Sequence, residues 1–186
     1  MNSGITVDVW SDFVCPWCFL ASTSLKKLEE SHGVTIQWHS FELRPEGSPP
    51  MPDWYKQRII NSRPQFEAMA KAHYGIEINA GPFGINSRAS LIGMKYAEQH
   101  GKGAEYHDRV FRAYWEKAQN IADIEILRAI VTDLSMDADD FEQALSDVKL
   151  EADVVSDIQT ANYFDITGVP AMLFMNKYLI NGAQPY

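Results

Sequence analysis

Cys15 and Cys18 are the only cysteines in this chain of 186 residues, and they enclose Pro16 and Trp17 in the run Cys15-Pro16-Trp17-Cys18. Thiols three residues apart lie on one face of a helix, close enough to close a disulfide. Such a pair can perform thiol–disulfide exchange: one thiolate attacks a disulfide sulfur and the second thiol resolves the mixed disulfide. Which sulfur does which depends on where the helix begins. Unpaired N–H groups at a helix N-terminus carry about half a positive charge and favour a thiolate over a thiol. Cys15, at that end, is expected as the attacking sulfur and Cys18, one turn deeper, as the resolving one. Pro16 and Trp17 add no acid or base, so they are expected to shape the loop, tune the potential and border the approaching substrate.

The elements around the pair agree with that placement. In Ile5-Thr6-Val7-Asp8-Val9-Trp10, Ile5, Val7 and Val9 alternate with Thr6, Asp8 and Trp10, the period-two pattern of a β-strand. After Ser11-Asp12-Phe13-Val14, Pro16 stands at a first helical position, where its missing N–H costs nothing. Leu20, Ser24, Leu25 and Leu28 then recur at helical spacing, and Gly33 ends the run. Strand, Cys-x-x-Cys and helix in that order form a redox context. Asp8 and Asp12 could accept a proton from Cys18, although Asp12 reads more simply as a solvated or capping residue and Asp8 as a sheet-face acid.

Two plainer readings compete with redox chemistry. A structural zinc site needs four ligands, usually with a second short-spaced pair, and His32, His39, His73, His100 and His107 are too scattered to supply one. No metal is expected. Two inert core cysteines are the other possibility, since free cysteine is often buried.

Composition narrows the partners. Lys and Arg total 16 against 25 Asp and Glu, a formal net charge of -9, which disfavours nucleic acid and anionic membrane surfaces. No apolar run approaches the roughly 18 residues that cross a bilayer. Met1-Asn2-Ser3-Gly4 leads almost directly into the first strand, so no signal peptide is expected and the cytoplasm is the expected location. In a reducing compartment a single Cys-x-x-Cys is more often catalytic or metal-binding than a staple.

A second strand, Val34-Thr35-Ile36-Gln37-Trp38, completes a βαβ unit whose crossover is expected to be right-handed and whose strands parallel. Arg44-Pro45-Glu46-Gly47-Ser48-Pro49-Pro50-Met51-Pro52 reads as a boundary loop. Helices follow without a convincing strand. One runs from Asp53 to Tyr74 with an interruption near Pro64, one from Asn86 to His100, and one over Ala104–Lys117. The next, capped by Asp123, has Ile124, Leu127, Ile130, Val131 and Leu134 on one face, and a short one spans Asp139–Ser146. A longer helix over Leu150–Phe164 precedes Gly168-Val169-Pro170 and the strand Ala171–Met175. A tight turn at Asn176-Lys177 then returns the chain through Tyr178-Leu179-Ile180.

This order resembles the DsbA-like branch of the thioredoxin superfamily. More narrowly, Ser11-Asp12-Phe13-Val14-Cys15-Pro16-Trp17-Cys18, Asn120-Ile121-Ala122-Asp123, Gly168-Val169-Pro170 and Gly182-Ala183-Gln184-Pro185 resemble the FrnE-like dithiol-disulfide oxidoreductases. The resemblance implies an α/β, thioredoxin-like fold with an inserted all-helical domain. Residues 1–44 and 150–186 would form the thioredoxin-like part and residues 45–149 the insertion. It implies Cys15 as nucleophile, Cys18 as resolving partner and Pro170 as a cis-proline facing them, with the Val169 backbone exposed to pair with a substrate strand. It also implies a final helix starting near Gln184-Pro185, which the sequence, stopping at Tyr186, does not contain. A truncated chain, a disordered tail or a partner over that sheet face are the alternatives, and an uncovered face could associate as a homodimer.

Three functions follow. The first is thiol–disulfide exchange with protein or peptide thiols, or with glutathione as redox partner, and no other cofactor. The kappa-type transferases and 2-hydroxychromene-2-carboxylate isomerases are similar in fold, and they imply a glutathione-dependent isomerase or transferase instead. Those enzymes usually carry serine where this chain has Cys15 and do not need a second cysteine. The third is a non-catalytic peptide-binding module whose groove is lined by Met51, Trp54, Phe83 and Trp115, residues that could equally be core.

Overall fold

Val7 and Val9 are fully buried, and so is the intervening register's neighbour Trp10, because the first strand lies in the interior of its sheet with both faces covered. The computed structural model describes residues 4–186. Strand β1 (Thr6–Ser11) pairs parallel with β2 (Thr35–Ser40) and antiparallel with β3 (Ala171–Phe174), which pairs antiparallel with β4 (Tyr178–Asn181); the order is β2-β1-β3-β4. Val7, Val9 and Met172 pack on Leu25 from one side, while Trp10, Ala171 and Leu173 meet Ala161 and Ile166 on the other. The alternation therefore separates two buried faces, not a buried from a wet one.

Helix α1 (Pro16–His32) opens on Pro16 and ends at Gly33, whose φ of 62° lets its N–H return 2.9 Å to the Glu29 carbonyl. Helix α2 (Asp53–Tyr74) contradicts the expected break: it runs through Pro64. Proline removes one helical hydrogen bond and crowds the carbonyl four residues back, but the helix around it faces solvent, where water can satisfy the freed carbonyl.

Helix α3 (Arg88–Gln99) starts after Ser87, and it is Asn86 whose side-chain oxygen accepts the Arg88 N–H at 2.7 Å. Helices α4 (Gly103–Trp115) and α5 (Ile124–Asp133) follow, α5 capped by Asp123, which accepts the Glu125 N–H at 3.0 Å. Leu127, Ile130 and Val131 are buried, whereas Ile124 is exposed because it occupies the first turn beyond the packed stripe. Helix α6 (Ala138–Ala144), expected over Asp139–Ser146, is capped by Asp137, and α7 (Val148–Tyr163) by Asp147. Met175 and Asn176, not Asn176 and Lys177, are the left-handed residues of the hairpin turn, which the Lys177 N–H closes onto the Phe174 carbonyl at 3.0 Å.

One continuous apolar cluster joins the start of α1 to the helical block: Phe13, Cys15, Cys18 and Phe19 pack with Phe111, Tyr114 and Trp115 of α4 and extend to Leu150 and Val154 of α7. Gly93 sits where α3 meets α4 and α6; a Cβ there would collide with the Tyr106 hydroxyl and lie 2.8 Å from Phe141. A charged bolt closes the sheet side. Asp157 of α7 accepts the Ser40 N–H at 2.7 Å and holds Lys95 of α3 at 2.7 Å and His39 of β2 at 2.9 Å, and His39 reaches Asp8 of β1 at 2.8 Å.

Tyr178, Leu179 and Ile180 on β4 are exposed. No helix among the described residues is long and apolar enough to cross a membrane. The expectation about the start of the chain falls on residues 1–3, outside the described residues.

Candidate active site

The loop from β1 to α1 is wound by one carboxylate. Asp12 accepts the Val14 N–H at 3.3 Å on Oδ1 and the Leu43 N–H at 2.8 Å on Oδ2, while its own carbonyl accepts the Cys15 N–H at 3.0 Å. These bonds leave Cys15 with extended backbone (φ -90°, ψ 116°) as the N-cap of α1, Pro16 following as the first helical residue. The Phe19 N–H then closes the first turn on the Cys15 carbonyl at 3.2 Å. Cys15 therefore stands at the positive end of α1, and Cys18 one turn inside it.

Both thiols are free and buried, Cys15 at 4% exposure and Cys18 at 0%. Burial pushes the Cys18 thiol well above its ordinary range, and the hydrogen bond and charge of Cys15 push it further; the Asp12 backbone and the Ser11 hydroxyl oppose them. Cys18 thus keeps its proton, as suits a resolving sulfur. The Cys15 thiol donates to the Val169 carbonyl at 3.4 Å, so residues 154 positions apart share one site. The Val169–Pro170 bond is cis, with Val169 half-buried and Pro170 buried at the entrance to β3. Trp17 is 47% exposed and meets Phe66 of α2 edge-on at 5.2 Å, forming an apolar rim; Pro16 is half-buried beside it.

Two expectations about nearby residues are corrected. Asp12 is not solvated: its exposure is 0%, and burial raises its carboxyl to about 6. The Leu43 and Val14 amides and the Ser87 hydroxyl pull the other way, and Glu42 adds a small push upward. Trp115 does not line a groove. It is buried, and its indole N–H donates to the Phe13 carbonyl at 2.9 Å, bracing the loop before α1 from α4. Trp54 and Phe83 are exposed and Met51 half-buried. Asp8 does occupy the sheet face, paired with His39.

Sequence reasoning missed the supports. Glu42, just beyond β2, is buried and takes Arg88 of α3 at 2.6 Å, beside Asp12. His107 stacks on Trp38 at 3.7 Å and meets Phe13 at 5.4 Å; burial pulls its imidazole down to about 3, so it stays neutral packing. No local pattern marks any of them, because each gains its partner from another element. Among the described residues no group of three or more His, Cys, Asp or Glu is placed to hold a metal.

Comparisons with known proteins fit this architecture. The chain is 32% identical over 176 residues to the uncharacterized protein YwbO of Bacillus subtilis (strain 168), covering 91% of this chain and 86% of that one. It is 30% identical over 174 residues to a 2-hydroxychromene-2-carboxylate isomerase of Pseudomonas putida, covering 89% and 83%. The crystal structure of a probable DsbA oxidoreductase from Streptomyces coelicolor superposes with a TM-score of 0.84 at 23% identity, over 97% of this chain and 85% of that one. Residues 6–186 match the DSBA-like thioredoxin domain family, and with its mixed four-stranded sheet the chain belongs to that family.

Proposed function

We propose that the protein is a thiol–disulfide oxidoreductase of the FrnE-like kind, working through Cys15 and Cys18. The observation that carries this reading is the unequal placement of the two sulfurs: Cys15 caps α1 against the Val169 carbonyl, while Cys18 is sealed behind it with its proton held. The Cys15 thiolate attacks a substrate disulfide and forms a mixed disulfide, releasing one substrate thiolate. Cys18 then gives up its proton, attacks Cys15 Sγ and expels the second substrate thiolate, which leaves the Cys15–Cys18 disulfide and a reduced substrate. The reverse sequence oxidises a dithiol. Val169 and Pro170 form the wall along which an extended peptide lies, and Trp17 with Phe66 supplies an apolar contact at its edge. Glutathione is the small thiol expected to recharge the pair in a cytoplasmic setting.

Thiol trapping in glutathione buffers of graded poise tests the reading: the pair is expected to convert as a single two-electron couple. No intramolecular disulfide at any poise refutes it.

The identity to a 2-hydroxychromene-2-carboxylate isomerase favours a second reading, a glutathione-dependent isomerase or transferase in which Cys15 alone activates or contacts the cosubstrate. Glutathione-dependent isomerisation that survives Cys18→Ser supports it; no such isomerisation in the wild type, with dithiol–disulfide turnover lost in Cys18→Ser, supports the first.

A further inference from the structure

His39 presents both of its ring nitrogens to carboxylates. Nδ1 lies 2.9 Å from Asp157 Oδ1 on α7, and Nε2 lies 2.8 Å from Asp8 Oδ1 on β1. A neutral imidazole has one N–H and one lone pair, so it can satisfy only one such oxygen; at the other nitrogen, lone pair would face lone pair. Both contacts are hydrogen bonds at once only when the ring is an imidazolium or a carboxyl carries the proton. The Lys95 ammonium and the Ser40 N–H, each 2.7 Å from Asp157 Oδ2, keep that carboxylate ionised, and the proton belongs on the ring. Burial opposes the charge on His39, but Asp157 and Asp8 outweigh it and raise its affinity for the proton. The other titratable groups facing it are Glu98 of α3, which pairs with Lys95 at 3.3 Å, and His107 of α4, which lines one small cavity with it and is kept neutral by burial. The strap spans three elements, one of them the edge strand β2. Beneath it, Trp10 stacks on His39 at 4.8 Å, donates to the Asp157 carbonyl at 3.0 Å and packs in the apolar cluster that Phe164, Ile166 and Val169 share. The segment that brings Val169 to Cys15 therefore rests on the same floor as the strap.

We propose that His39 is a proton-operated clasp: protonated, it ties α7 to β1 through Asp157 and Asp8; neutral, it keeps its Nδ1–H on Asp157, releases Asp8, and lets α7 and the Phe164–Ala171 segment open from the sheet more readily. Asp8 is the partner released because its side chain is 22% exposed against 13% for Asp157, so water can take over its oxygen. Loss of the proton also leaves three carboxylates, Asp8, Asp157 and Glu98, facing Lys95 alone. Opening the seam returns His39 to its ordinary value of 6.5. The clasp therefore contributes fully below that pH and is lost as pH climbs through the raised value of the closed seam. It uses neither sulfur, and it operates whichever reaction Cys15 and Cys18 perform.

Two measurements test it. Imidazole ¹H–¹⁵N spectra of the wild type, assigned through the backbone and followed from about pH 5 to about pH 10, should show His39 titrating above 6.5. Its neutral form should be the Nδ1–H tautomer, the rarer one for a free imidazole. A midpoint at or below 6.5, or a neutral Nε2–H form, overturns the proposal. These spectra need no variant, so the test survives one that does not fold. Amide exchange is the second measurement, read at Ser40 and over residues 164–171 and divided by the intrinsic rate at each pH. Wild type should lose about tenfold in protection between about pH 6 and about pH 9. His39→Gln, which never bridges two carboxylates as a cation, should be level within about twofold and weakly protected throughout. His39→Arg, whose charge is permanent, should be level and well protected. Level protection in the wild type, or the same fall in His39→Arg, overturns the proposal.

Discussion

Asp157→Asn tests whether the charged bolt between α7 and the sheet holds the architecture together. The carboxylate accepts from Ser40 at 2.7 Å and pairs with Lys95 at 2.7 Å and His39 at 2.9 Å, its side chain 13% exposed and that of Lys95 9% exposed. Removing one partner of a buried ion pair costs about 3–5 kcal/mol, because the other charge is left uncompensated. Here each cation keeps a second carboxylate, Lys95 the Glu98 side chain at 3.3 Å and His39 the Asp8 side chain at 2.8 Å. The amide also still accepts one hydrogen bond. The expected loss is therefore about 2–3 kcal/mol, or a fall in Tm of about 5–10 °C for a chain of this size. Urea unfolding followed by far-ultraviolet circular dichroism measures it, with Lys95→Met and the double variant completing a cycle. The double variant should lose less than the sum of the singles, since it leaves no unpaired ammonium behind. A loss below about 0.5 kcal/mol, or strict additivity, refutes the claim that these charges are coupled and desolvated.

Three further outcomes are expected. Cys18→Ser should accumulate a mixed disulfide at Cys15, visible as a mass increment, while Cys15→Ser should form none and lose exchange activity by at least about a thousandfold. His39 is a pH-linked contributor: burial lowers its pKa, but Asp157 and Asp8 together raise it above the ordinary 6.5. Its stabilisation is thus complete below about 6.5 and is lost as pH rises through the raised folded value. Wild type should accordingly lose stability relative to His39→Gln as pH rises above about 6.5, and equal pH slopes in urea unfolding would contradict this. Gly93→Ala should destabilise by about 1–2 kcal/mol in the same assay, despite alanine's better helix propensity, because its methyl group meets the buried rings of Tyr106 and Phe141.

The placement of the two cysteines was legible because it is local. Cys-Pro-Trp-Cys after an alternating strand puts an N-cap cysteine and its partner on one face of a helix, and α1 begins at Pro16 as that pattern demands. Aspartates before apolar runs likewise marked the α5 start, and Gly33 marked the α1 end, since caps and left-handed stops are decided by residues in direct sequence contact. Local rules failed where the surroundings supplied what the chain lacked. Pro64 does not break α2, whose exposed flank is open to water, and Trp10, placed opposite the valines, is as buried as they are because Ala161 and Ile166 close over that face.

Asp12 marks the limit most clearly. Its acidity and its position before the pair are written in the sequence, and so is the possibility of a turn-capping role. That it is dry is not. Leu43, Ser87 and Tyr114 come to it only after the sheet, the linker and two helices have packed together; the burial this brings raises its affinity for a proton, although the Leu43 amide and the Ser87 hydroxyl themselves oppose the rise.

The sequence by itself determined which atoms could do thiol chemistry: Cys15 and Cys18, the two cysteines among the 186 residues, at the start of a helix. Only the tertiary structure decided how those sulfurs differ. Folding brings Val169 to within 3.4 Å of Cys15 and seals Cys18 and Asp12 from water. Spacing along a chain sets geometry within a few residues, whereas the cost of charge depends on what every other element has excluded from the same volume.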